Sequence, residues 1–120
     1  MNNFELCRGV CNLHGKIMGV GIIERAKLVA LYAQPGTPMP NEEEFEKLFF
    51  QTEVIASMTK TNVSLFGEPK FFNLSFDNVD LYFFLLSRYG RKGILALQIM
   101  QLYDHEEIVS KVGGYLEQNL

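Results

Sequence analysis

Lys70-Phe71-Phe72-Asn73-Leu74-Ser75-Phe76-Asp77-Asn78-Val79-Asp80-Leu81-Tyr82-Phe83-Phe84-Leu85-Leu86-Ser87-Arg88 is the stretch on which the fold turns. Apolar, aromatic-rich runs flank Asp77-Asn78, a pair whose side chains tolerate tight-turn geometry. The pattern predicts a strand over Lys70–Phe76, a short connection, and a second strand over Val79–Arg88. Neighbours on a strand point to opposite faces, so Phe71 and Phe72 serve different sides of the sheet. Leu81 to Leu86 are apolar without a break, as in a strand covered on both faces. After the turn Tyr89-Gly90-Arg91-Lys92-Gly93, Ile94–Met100 reads as a third strand.

Working towards the N-terminus, Leu65-Phe66-Gly67-Glu68-Pro69 reads as a turn. Before it, Phe45, Leu48, Phe49, Thr52, Ile55, Ala56 and Thr59 recur at helical spacing, which predicts a helix from Asn41 to about Lys60. Asn41 caps it, Glu44 occupies the reciprocal capping-box position, and Glu42 to Glu44 complement the helix dipole. The proline-rich segment Gln34–Pro40 breaks the chain ahead of that helix. Ile17–Glu24 and Lys27–Ala33 read as a hairpin, because so short a gap favours antiparallel pairing. Residues 3–14 read as a first helix with Phe4, Cys7, Cys11 and His14 on one face, ended by Gly15. Past the third strand of the opening stretch, Asp104 caps a last helix, with Glu107 completing a second capping box. Gly113-Gly114 either admits a close backbone or ends that helix early.

The order is α-β-β-α-β-β-β-α, an α+β sandwich: a five-stranded antiparallel sheet with helices on both faces. Residues 1–120 suit one domain, with no linker or internal repeat. The net charge of -3 offers no general basic field, so nucleic acid is not expected as a partner. No apolar run is long enough for a membrane span, and the N-terminus lacks the features of a secretory signal. Two nearby cysteines make no disulfide framework and suggest a reducing, cytoplasmic setting.

The search for chemistry finds little. No phosphate-binding loop and no nucleophile elbow is present. Cys7, Cys11 and His14 have zinc-binding atom types, but no second cysteine pair completes a site, and buried cysteine is common. Glu42, Glu43, Glu44 and Glu46 point in different directions around a helix and read as cap and dipole partners. Arg88, Arg91 and Lys92 are partner-contact candidates, since they can dock an anionic group; a solvated turn yields the same residues. No catalytic residue, cofactor or metal is expected. The surplus of phenylalanine, against limited helix to cover two sheet faces, predicts a self-association surface.

This order and these lengths resemble the roadblock family, also called the dynein light-chain roadblock type, over nearly the whole chain. The resemblance rests on the helix at 3–14, the two hairpins, the helix at 41–60, the last strand and the closing helix. Leu65 to Gly67 look like the apolar residue and glycine that family members often carry before the third strand. Glu24-Arg25-Ala26 stands where the family often has an Asp-Gly type turn. The resemblance implies a non-enzymatic scaffold that forms homodimers, or heterodimers with a related chain, by pairing the third strand and the middle helix. It also implies regulation or scaffolding of a small Ras-like GTPase. Carried onto this sequence, the interface candidates are Phe45, Phe49, Thr52, Ile55 and Ala56 of the helix. On the strand they are Phe71, Phe72, Leu74 and Phe76. The alternatives are a longin-type trafficking domain, which usually begins directly with its first strand, and a small-molecule sensor of the PAS or profilin-like kind. The sensor reading predicts a closed apolar pocket, with Asn73 and Gln98 the plainest polar groups for it.

Overall fold

A computed structural model describes all 120 residues. The elements are α1 (Asn3–Cys11), β1 (Ile17–Glu24), β2 (Lys27–Ala33), α2 (Glu42–Lys60), α3 (Val63–Phe66), β3 (Phe71–Ser75), β4 (Val79–Leu85), β5 (Ile94–Met100) and α4 (His105–Asn119). The five strands form one antiparallel sheet in the order β2-β1-β5-β4-β3. β5 lies between the two hairpins, and α2 carries the chain from one edge strand, β2, to the other, β3. No helix is long and apolar enough to cross a membrane.

Each face has its own core. On one, α1 contributes Leu6, Cys7, Val10 and Cys11 and α4 contributes Ile108, Val112 and Leu116. They cover Ile17, Val20, Ile22, Tyr82, Phe84, Leu95, Leu97 and Ile99. On the other, α2 alone sets Phe49 and Ala56 over Ile23, Phe83, Leu85 and Ile94. The unbroken apolar run in β4 therefore serves two cores at once, as its doubled coverage requires.

Local signals explain most element ends. Asn41 Oδ1 accepts the Glu44 N–H at 2.8 Å while Glu44 Oε1 accepts the Asn41 N–H at 3.1 Å, a complete capping box. Asp104 also caps its helix, but the reciprocal bond from Glu107 does not form. The Glu107 carboxylate instead meets His14 Nε2 at 3.1 Å and Lys111 Nζ at 3.8 Å.

Several boundaries differ from expectation. The strand expected to reach Arg88 stops at Leu85, and Leu86–Tyr89 coil into a 3₁₀ turn closed by Gly90 at φ 76°. The first helix ends at Cys11 with Asn12 as its cap, short of Gly15, and Leu6 and Val10 line its buried face while Phe4 is exposed. The expected turn at Leu65-Phe66 is the end of the helical turn α3. Gly113-Gly114 neither ends α4 nor meets a neighbour, since a Cβ at either position has nothing within 4 Å.

Candidate interaction surface

The first hairpin closes through Arg25-Ala26, with φ of 52° and 61°, because Glu24 pairs directly with Lys27. This is the conformation an Asp-Gly type turn would adopt more easily. The Glu53 carboxylate accepts the Ala26 N–H at 3.1 Å and so holds the turn against α2. That contact fixes which flank of α2 faces the hairpin. With about 100° between successive residues, Leu48, Gln51, Ile55 and Met58 run along the opposite flank, towards β4 and β3.

The interface candidates divide sharply. Phe49, Thr52 and Ala56 are buried against the chain's own sheet, Thr52 at 1% exposure with its hydroxyl donating to Leu48 O at 2.8 Å. They are unavailable to a partner, and a charge at Phe49 would disrupt folding before it could split a dimer. Phe45 is half-buried and stacks on Phe49, ring centroids 5.2 Å apart. Ile55 is half-buried on the open flank.

On β3, Phe71 faces the α1–α4 side, packed on Tyr82 and Phe84. Phe72 and Leu74 face the α2 side, Phe72 stacked on Phe83 with centroids 4.8 Å apart. Phe76, just past the strand, is 54% exposed. Sequence reasoning missed Phe50, Val54 and Met58, yet they form an exposed apolar stripe along α2, Phe50 at 66% and Met58 at 63%. Their i, i+4 spacing was the available signal, masked because the inner face of the same helix is also apolar.

β3 hydrogen bonds only to β4, so its outer edge is free. That edge, the α2-facing side chains of β3 and the open flank of α2 make an apolar band interrupted on the helix by Gln51. An unpaired edge beside apolar surface is a template for a further strand.

The other singled-out groups settle elsewhere. Arg88 donates to Glu68 O at 3.4 Å and Arg91 to Asn3 Oδ1, leaving Lys92 exposed without a bond. Burial, then the neighbouring Cys11, pushes the Cys7 thiol up to about 11, and burial also raises Cys11. The thiolate is the metal-binding form, so these cysteines act as apolar core residues. His14 turns its ring to Lys16 N and Glu107, and no group of three or more His, Cys, Asp or Glu side chains is placed to hold a metal.

No family model matches the sequence. No curated protein matches it either. Solved structures do. A roadblock/LC7 domain from Streptomyces avermitilis superposes with a TM-score of 0.71 at 9% identity, over 98% of this chain and 94% of that one. The gliding protein MglB from Thermus thermophilus gives 0.70 at 14% identity, over 95% and 84%. MglB from Myxococcus xanthus gives 0.71 at 10% identity, over 96% and 89%. The chain has a roadblock-type fold.

Proposed function

We propose that this chain is a non-catalytic adaptor that works as a homodimer, or paired with a related roadblock-type chain, and presents its paired surface to a small Ras-like GTPase. The observation that carries the reading is the apolar band joining the free edge of β3 to the open flank of α2. It holds Phe72, Leu74, Phe76, Ile55 and Met58, with Val54 and Phe50 continuing around the helix. Bands of this kind mark protein interfaces. A solved MglB is described with a tetrameric arrangement, so the same fold self-assembles elsewhere.

The proposed dimer has a defined geometry. For two α2 helices to lie side by side on one face, the two-fold axis must run normal to the sheet, which makes the paired β3 strands antiparallel. Directly opposed residues must then share a face. An axis through Asn73, the middle residue of β3, pairs the whole strand and sets Phe72 against the partner's Leu74.

Neither alternative gains support of this kind. The crevice between Gly19, Gly21 and Ala96 of the sheet and Phe45 and Leu48 of α2 has a volume of about 120 Å³, with Gln98 its one polar side chain. Ligand pockets typically run to about 300–1,000 Å³, so this apolar crevice is too small for the pocket that the sensor reading expects. The longin reading has no role for α1, whose Leu6, Cys7, Val10 and Cys11 are fully buried.

Light scattering on a size-exclusion column tests the proposal. The expected mass is twice the 13.7 kDa of the chain. Leu74→Asp with Met58→Glu is expected to give a folded monomer, and loss of binding to a panel of purified small Ras-like GTPases should accompany it. A wild-type monomer at high concentration, with no related chain restoring a dimer, would overturn the reading.

A further inference from the structure

Arg25, Lys27, Lys60 and Lys92 come from three separate parts of the sequence, yet they line one open groove of about 860 Å³. The groove lies at the end of the sheet where the β1–β2 turn, the start of β5 and the C-terminus of α2 meet. All four cations are exposed and none has a carboxylate oxygen within salt-bridge distance. Two carboxylates share the groove, Glu24 and Glu53, and one oxygen of Glu53 is already engaged by the Ala26 N–H. Arg25 lines the groove from the tight β1–β2 turn, where it and Ala26 have positive φ. Between the cations lie Ser87, Gly93 and four apolar side chains: Val29 of β2, 45% exposed, above the buried Ala56 of α2, Leu85 of β4 and Ile94 of β5.

In a chain of net charge -3, four unpaired cations around an apolar floor form a local field opposite in sign to the whole. We propose that this groove docks an acidic segment of a partner protein, one that alternates carboxylates with at least one apolar anchor. The carboxylates meet Lys60 on the helix wall and Arg25, Lys27 and Lys92 on the strand-end wall, while the anchor packs on Val29, the exposed apolar side chain of the lining. Charge on both walls with an apolar floor suits a chain laid along the groove. A flat anionic membrane would engage the rim and leave the floor unfilled. The groove is on the hairpin side of α2, away from the β3 edge, so it is open in a monomer and in the proposed dimer alike.

Fluorescence anisotropy with a short fluorescein-labelled peptide alternating Glu and Leu tests this, beside a control peptide with Ser in place of Glu. The acidic peptide is expected to bind and to weaken at least tenfold between about 50 mM and about 300 mM salt, as screening requires. Lys60→Glu with Lys92→Glu should weaken it a further tenfold or more. Glutamate at the end of α2 opposes the helix dipole, so the neutral pair Lys60→Gln with Lys92→Gln is measured alongside and should lose severalfold while folding normally. Lys47→Gln, on another surface, should bind as the parent does. Equal binding of the serine peptide would overturn the proposal, as would unchanged affinity in the folded glutamine pair. Co-sedimentation with phosphatidylserine vesicles without peptide binding would also overturn it, assigning the cations to lipid. Because peptide binding is read separately from molar mass, its failure is distinct from failure of the dimer.

Discussion

Two glycine sites show what a single residue can and cannot announce. Gly113-Gly114 look like a place for close approach, yet both face open space. The close approach is at Gly9, where an added Cβ would fall 1.9 Å from the Tyr115 hydroxyl oxygen. Tyr115 lies over α1 at the point where α1 and α4 pack. Gly9→Ala must swing that ring aside at an overpacking cost of about 1–3 kcal/mol, against about 1 kcal/mol gained from alanine's better helix propensity, so a net loss of up to about 2 kcal/mol is expected. Urea denaturation checks it, and adding Tyr115→Ala should remove the penalty of the alanine. An alanine variant about 1 kcal/mol more stable than the parent, the full gain in helix propensity, would show the crossing to be loose. The chemistry of a glycine is legible in the sequence, but its neighbour is more than a hundred residues away and is set by tertiary packing. The same limit explains the dispersal of Arg88, Arg91 and Lys92. Arg88 and Arg91 turn to nearby oxygens, and Lys92 joins Arg25, Lys27 and Lys60, which no local pattern connects.

Elements were legible wherever a local device fixes them. Asn41 with Glu44, and the alternation in Phe71–Ser75, place α2 and β3 without tertiary information. The end of β4 was not legible, because Leu85 and Leu86 are equally apolar and only the turn geometry after Leu85 separates strand from 3₁₀ turn. The face of α2 that meets solvent was also hidden, since an apolar helix surface does not declare which side has a partner. One junction between elements makes a test. The Asp80 carboxylate on β4 accepts from Ser75 Oγ on β3 at 2.6 Å, from Gln101 Nε2 at 2.8 Å and from the Tyr103 hydroxyl. The Tyr103 and Tyr82 oxygens lie 2.9 Å apart, and Tyr82 bonds His105 Nδ1 at the start of α4. Burial pushes the Asp80 carboxyl up, but these donors and the nearby His105 outweigh it and hold the group below its ordinary 3.8. A carboxylate with a depressed folded pKa stabilises the fold above pH 3.8 and loses that stabilisation as pH falls through the folded value. Asp80→Asn should therefore cost about 1–2 kcal/mol at neutral pH, and the gap to the parent should narrow as the pH drops below the ordinary value. A gap that stays constant into acid would mean that the charge of Asp80 contributes nothing.

At the scale of the whole molecule, charge is sorted along the strands. Glu42, Glu43, Glu44, Asp77 and Asp104 sit at the end of the sheet where α2 and α4 begin, and Arg25, Lys27, Lys60, Lys70 and Lys92 at the other. An antiparallel β3 pair brings unlike ends together. With the axis through Asn73, Lys70, just before one β3, lies beside the segment Phe76-Asp77 just past its partner's β3, and the symmetry makes that contact twice. The proposed dimer should accordingly weaken as salt rises. Lys70→Glu turns two attractions into two repulsions, and exposed pairs are worth about 0.2–1 kcal/mol each, so a rise of about tenfold in the dimer dissociation constant is expected. Asp77→Lys should weaken the dimer comparably. The double variant Lys70→Glu, Asp77→Lys exchanges the two charges and should bring the dissociation constant back near that of the parent. Sedimentation equilibrium over a salt series reads all three. Restoration in the double variant would tie these positions together across the axis. Additive weakening would exclude that contact, and with it the register through Asn73, while leaving the apolar band of β3 and α2 free to pair in another alignment.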